Sequence, residues 1–244
     1  MFVSSATEKR LGAHAYQRII RSNKSDILPR DHKATKTVNR VAKRIVKVAD
    51  RDFKWSFTVI RSDTANAFCL PGGKVVVYTG LFAATPNEDA LAMILAHEIA
   101  HAVARHGAEK MSRAILLDWA VILLSAFGIE ASWLLGLFDS LLLSLPNSRE
   151  CEREADFIGL QLMAKACFNV EEGPKAMERL HDCTEGHSQR SSLAQKLSEY
   201  TSTHPSDEER VALLRDYLPP ARELARKSGC SMQRRNFARS ATVN

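Results

Sequence analysis

Five residues concentrate the chemistry of this chain: His97-Glu98-Ile99-Ala100-His101. On an α-helix, positions four apart lie on one face, so His97 and His101 can offer imidazole nitrogens to a single metal ion. Glu98 sits about 100° further round the axis. There its carboxylate can take a proton from a water held by the ion without ligating the ion itself. Zinc is the metal this pattern serves. With 8 His and 16 Glu among 244 residues, random order would give roughly 0.02 copies of the pattern per chain. Chance is therefore a poor explanation, and the competing reading is two surface histidines on an ordinary helix.

A hydrolytic zinc site needs a third protein ligand and a fourth corner open to water. The acidic stretch from Glu150 to Leu160 supplies a candidate, because Glu152 and Asp156 are again four apart. Glu152 is predicted as the third ligand and Asp156 as the group that holds a ligand imidazole by its other nitrogen. Glu150 and Glu154 read instead as solvated acids favoured by the first turn of a helix. His106, five residues beyond His101, falls off the ligand face and reads as a neighbour or surface residue.

Several elements must hold these groups in place. Thr85-Pro86-Asn87-Glu88 has the form of a capping box with proline at the first helical position. A helix from there to His106-Gly107 keeps both histidines in its rigid middle. Before it, Leu11, Ala15, Ile19 and Ile20 recur at helical spacing, as do Val38, Val41, Ala42, Ile45 and Val48. From Phe53 the period changes to two. Trp55, Phe57 and Val59 alternate with polar residues, then Asn66 to Leu70 meets the turn Pro71-Gly72-Gly73, and Lys74 to Gly80 follows. These runs predict a small antiparallel sheet beside the metal helix. Val75, Val76, Val77 and Tyr78 are its candidate substrate strand, able to hold an extended peptide by strand addition.

Pro146-Asn147-Ser148 caps the acidic helix, whose buried stripe is Cys151, Ala155, Ile158 and Leu162. A further helix starts at Pro174, with Ala176, Met177 and Leu180 inward. Ser206 and Glu209 form another capping box, and Pro219-Pro220 ends the helix it opens. Residues 1–218 thus read as one mainly helical α+β domain. Residues 219–244 read as a basic, disordered tail.

Composition narrows the partners. Residues 114–148 contain no Lys or Arg, and the longest charge-free apolar run there, Trp119 to Ile129, is 11 residues, short of the roughly 20 needed to span a bilayer. Residues 114–145 therefore read as an apolar helical hairpin, with interfacial membrane contact as the alternative. The net charge of +6 conceals basic ends around an acidic middle. Residues 1–54 carry 14 Lys/Arg against 5 Asp/Glu, and residues 219–244 carry 6 against 1. Basic ends suit an anionic membrane surface, but no aromatic-interleaved motif accompanies them, so no nucleic-acid partner is expected. The five cysteines lack a C-x-x-C pair and read as mostly reduced thiols. The N-terminus lacks the apolar run of a secretory signal.

The pairing of His97-Glu98-Ile99-Ala100-His101 with Glu152-Arg153-Glu154-Ala155-Asp156 resembles the HExxH and ExxAD signatures of the gluzincin peptidases that include the Ste-type CAAX and Htp-type proteases. Leu145 to Arg149, Ile158-Gly159-Leu160, Asn66-Ala67-Phe68 with Pro71-Gly72-Gly73, and Thr203-His204-Pro205 with Arg210 look most like the mitochondrial inner-membrane Oma-type group. The resemblance covers roughly residues 8–218. It implies a zincin-type endopeptidase with one zinc on His97, His101 and Glu152, and with Glu98 as general base and then acid. It also implies that Asp156 orients a ligand histidine, that His204 faces the cleft and stabilises the oxyanion, and that Arg210 braces the His204 segment. A protein or peptide substrate, a nearby membrane, possible homo-oligomerisation and a role in mitochondrial protein quality control follow from the same likeness. The chain departs from the group in showing no N-terminal targeting or membrane-spanning region. A catalytically silent protein of the same fold, binding membrane-protein clients, is the alternative.

Overall fold

A computed structural model of the chain describes residues 3–51, 53–112, 148–185, 200, 204 and 208–230. The expected hairpin over 114–145 and the cap at Ser206 lie outside these residues. Among the described residues, no helix is long and apolar enough to cross a membrane.

Helix α1 (Ser5–Ser22) starts at Ser4, whose hydroxyl accepts from the Thr7 amide. It buries Glu8 and Gly12 and leaves Leu11 exposed, contrary to the expected stripe. The cause is a close approach, since a Cβ on Gly12 would stand 2.0 Å from the Pro71 carbonyl oxygen. Helix α2 (Lys33–Val46) buries Val38, Val41, Ala42 and Ile45 as their spacing predicts.

Strands β1 (Ser56–Ile60), β2 (Ala67–Leu70) and β3 (Lys74–Tyr78) lie in the order β1-β3-β2. The expected antiparallel sheet is in fact mixed. β2 and β3 pair antiparallel, with Ala67 opposite Val77, but β1 runs parallel to β3, with Ser56 opposite Lys74. The chain leaves β1, crosses to the far side of the sheet for β2 and returns through the hairpin into the middle. Alternating burial reports which residues face the core and carries no information about neighbour or direction. The hairpin closes on Gly72 and Gly73, at φ +84° and +81°, a backbone conformation that glycine adopts without a Cβ penalty.

Helix α3 (Glu88–Ala104) begins two residues later than the capping box implied. The Asn87 side chain accepts from the Ala90 amide at 2.8 Å, while the Thr85 hydroxyl donates to the Leu81 carbonyl. Every residue from Ala90 to Ala102 is buried, so α3 is the core element on which the others pack. After Arg105 a second helical stretch occupies residues 106–112.

Helix α4 (Arg149–Lys165) is capped by Ser148 as expected and crosses α3 at Gly159. A Cβ there would lie 3.1 Å from the His97 amide nitrogen. That absent side chain lets α4 lie close enough to bring Glu152 to the histidines. Helices α5 (Glu172–Glu185) and α6 (Glu208–Asp216) complete the packing behind α3 and α4.

The C-terminal expectations need correction. Pro219 and Pro220 occupy the first turn of α7 (Leu218–Lys227), where the missing amide protons have no helical acceptor in any case. Residues 219–230 are ordered, and Cys230 is buried in a disulfide with Cys167 across a sequence separation of 63. Cys69 and Cys151 remain thiols, as read from the sequence. Closing so long a loop constrains the unfolded chain, with a typical stabilisation of about 2–5 kcal/mol. Cys167→Ala/Cys230→Ala should therefore lower the melting midpoint by roughly 5–15 °C, checked by circular dichroism with and without reductant. The reductant should lower only the wild type.

Candidate metal centre

The middle of α3 and the first two turns of α4 meet in a pocket with almost no solvent exposure. His97, Glu98, His101, Glu152, Asp156, His204 and Arg210 are all buried. The His97 and His101 Nε2 atoms are 3.0 Å apart. Glu152 carboxylate oxygens lie 3.2 Å from His97 Nε2 and 3.3 Å from His101 Nε2. His204 Nδ1 stands 3.3 Å from His97 Nε2 and 3.1 Å from Glu152 Oε1.

These four side chains form the one group among the described residues that could hold a metal ion. A tetrahedron of donors around zinc at its usual bond lengths has edges of about 3.3 Å. The spacings of 3.0–3.3 Å given above fit that figure. The electrostatics fit as well. Burial alone would lower the His97 imidazole, but the Glu152 and Asp156 carboxylates outweigh it and raise it to about 10, whereas burial carries His101 down to about 3.

The surrounding groups fix this set. Asp156 Oδ1 accepts from His97 Nδ1 at 2.9 Å, which leaves Nε2 for the metal. Arg210 does more than brace its own segment. Its guanidinium donates to both Asp156 oxygens, at 2.8 and 2.9 Å, and lies 3.1 Å from Glu152 Oε2. Burial would raise both acids, but Arg210 holds Asp156 below its ordinary range, and the His204 and His97 rings do the same for Glu152. Burial also pushes the Glu98 carboxyl up, toward the basicity a proton acceptor needs at neutral pH.

Two expectations change. At the fourth corner, expected open, His204 Nδ1 stands as a fourth possible donor, while His204 Nε2 is 3.5 Å from Glu98 Oε1. β3 cannot receive a substrate strand, because it is hydrogen-bonded to β1 on one side and β2 on the other. The outer side of β2 is the alternative. The Tyr78 amide donates to the Asn66 carbonyl, so the antiparallel alternation turns the backbone groups of Ala67 and Cys69 away from β3. Cys69 on β2 senses Glu98, since burial and the Glu98 charge together raise its thiol.

Sequence reasoning missed Tyr200. Its buried hydroxyl donates to Glu98 Oε1 at 3.2 Å, and its ring stacks on His204. The signal was present, because Tyr200 and His204 repeat the four-residue spacing of the other two pairs. The His204 amide donates to the Tyr200 carbonyl as on a helix.

Fold and site together define a zincin-class zinc metallopeptidase. The sequence signature of peptidase family M48 matches residues 31–218, and the chain belongs to that family. Among its relatives, the mitochondrial metalloendopeptidase OMA1 of Schizosaccharomyces pombe is 41% identical, over 93% of this chain and 66% of the relative. The Saccharomyces cerevisiae OMA1 is 35% identical, over 95% and 69%. The human mitochondrial OMA1 is 33% identical, over 72% of this chain and 34% of its own length. The chain thus spans two thirds of the fungal relatives and one third of the human one.

Removing one partner of a buried ion pair costs about 3–5 kcal/mol, so Arg210→Leu should destabilise the chain by that order in urea titrations. Asp156 has a depressed folded-state pKa, so its contribution is complete above the unfolded value of about 3.9 and is lost as pH falls through the folded value. The stability gap between wild type and Arg210→Leu should be flat from about pH 5 to 7 and should shrink below about pH 4.

Proposed function

We propose that the chain is the catalytic part of a metalloendopeptidase that cleaves membrane-associated or misfolded proteins in mitochondrial protein quality control. His97, His101 and Glu152 hold the zinc, and Glu98 works as base and then acid. The observation that carries the reading is the convergence of three donors from two helices with Glu98 beside them, all inside the core. Zinc held there would supply a Lewis acid able to polarise the scissile carbonyl and make the attacking water more acidic.

The chain's own groups do the rest. Glu98, its carboxyl raised by burial, takes a proton from the attacking water and passes it to the leaving amine. The Tyr200 hydroxyl holds Glu98 Oε1 in place. His204, whose Nε2 lies 3.5 Å from Glu98 Oε1, donates to the oxyanion as the peptide carbonyl is attacked. Asp156 and Arg210 keep His97 and Glu152 oriented. The outward backbone of β2 at Ala67 and Cys69 takes the extended substrate, the role the sequence pattern gave to β3.

The names of the relatives support a mitochondrial location, and the basic N-terminal helices suit the anionic surface of an inner membrane. One observation favours the silent, client-binding alternative. With His204 Nδ1 included, the donor set is complete, and closed zinc sites are structural sites.

Two measurements separate the readings. Glu98→Gln should keep one zinc per chain by metal analysis and lose peptide cleavage by 100-fold or more, in line with the ~10²–10⁴ typical of a lost general base. Glu152→Gln should fail to retain zinc through gel filtration. His204→Ala should retain zinc while cleavage drops by about 10²–10³-fold. Loss of zinc from His204→Ala, with no cleavage by the wild type, would establish the silent reading.

A further inference from the structure

The geometry leaves one ligand's support unassigned. Asp156 holds His97, but nothing so far holds His101, and an imidazole ligand is oriented by what its second nitrogen binds. The His101 Nδ1 atom is 2.8 Å from the Nδ1 of His106, and His106 Nε2 is 3.1 Å from Glu154 Oε2. His106 is buried, while the Glu154 side chain is 59% exposed, so the three residues run from the protein surface to the donor cluster.

The backbone is bent to make this contact. On a continuous helix, a residue five beyond His101 would point about 140° away from it. Arg105 instead adopts φ +64°, a left-handed conformation that side-chain-bearing residues adopt less readily than glycine. The break turns His106 back beneath His101. Arg105 is itself fastened by Glu8 Oε2 at 3.0 Å and by the Val3 carbonyl at 3.2 Å. Arg105 is the left-handed C-cap of α3, and the residue after it is the buried imidazole that contacts His101.

We propose that His106, carried by Glu154, is the positioning residue for His101, fixing its ring with the proton on Nδ1 and the lone pair on Nε2 toward the metal. Proton accounting dictates the direction. The Glu154 carboxylate only accepts, so His106 carries its proton on Nε2 and presents a bare Nδ1. That nitrogen accepts from His101 Nδ1–H, which leaves His101 Nε2 as a donor atom facing His97 Nε2 and Glu152. A reversed chain would put a proton on His101 Nε2 and close it to a metal. The inference rests on the reading of His97, His101 and Glu152 as the zinc-holding set.

The test uses the full chain. Zinc affinity is measured by chelator competition for wild type, His106→Leu, His106→Asn and Glu154→Ala, and metal-free melting midpoints are recorded alongside. His106→Leu should weaken zinc binding 10- to 100-fold with its metal-free midpoint close to the wild type's. His106→Asn, whose side-chain oxygen can replace Nδ1 as acceptor, should recover most of that loss, which a merely space-filling role would not do. Glu154→Ala should weaken binding by a smaller factor. In the wild-type zinc protein, long-range proton–nitrogen NMR correlations should show His106 protonated on Nε2 and His101 on Nδ1. That spectrum decides the matter even if His106→Leu misfolds, and a proton on His106 Nδ1 would overturn the proposal. Unchanged zinc affinity in His106→Leu would overturn it alone, whereas a wild type that binds no zinc would remove the metal reading as well.

Discussion

The structure depends on keeping charge in a place that excludes water. Glu152, Asp156, His97, His101, His204 and Arg210 are packed into an apolar interior, where an isolated carboxylate would protonate or drag solvent in. The arrangement persists because each charge has a partner of fixed geometry. Arg210 answers both acids, and the donor cluster concentrates lone pairs at one point that only a cation can satisfy. The buried ion pair is best understood as orientation, since such pairs seldom add net stability over an apolar replacement.

The fold follows from that demand. A helix that carries buried ligands must itself be surrounded, and α3 is, from Ala90 through Ala102. The second helix must come close without a side chain in the way, so Gly159 stands against the His97 backbone. The sheet supplies one wall and the C-terminal helices the other, with Arg210 reaching the site from α6. The disulfide from Cys167 to Cys230 ties the end of the described chain to the loop after α4, and so to the element that carries Glu152 and Asp156. The chain leaves α3 through the left-handed Arg105, which is held there by contacts from α1.

M48 membership accounts for the catalytic frame over residues 31–218. Helix α1 lies outside that span, yet it touches the β-hairpin turn through Gly12 and the end of the metal helix through Glu8. The site's outer support therefore draws on a segment that the family signature does not include.

Local spacing in the sequence was enough to give the two histidines on one face, Glu98 beside them, the Glu152 and Asp156 pair, the Ser148 cap and the α2 stripe. Each rests on helical periodicity, a property a few neighbouring residues decide. Order across the sheet, and with it the placing of β3 in the middle and β2 at one side, depends on contacts between distant segments, which alternation does not encode. The same holds for the disulfide between Cys167 and Cys230 and for the ordered helix past Pro219, whose burial required a partner surface. His106 and Tyr200 were hidden for two different reasons. A left-handed residue broke the helical wheel that placed His106 off the ligand face, and Tyr200 reaches Glu98 only because its segment folds back onto α3. Sequence thus determined which groups could act together along one helix. The tertiary structure decided which helices, edges and supports meet, because that depends on close approach between segments far apart in the chain.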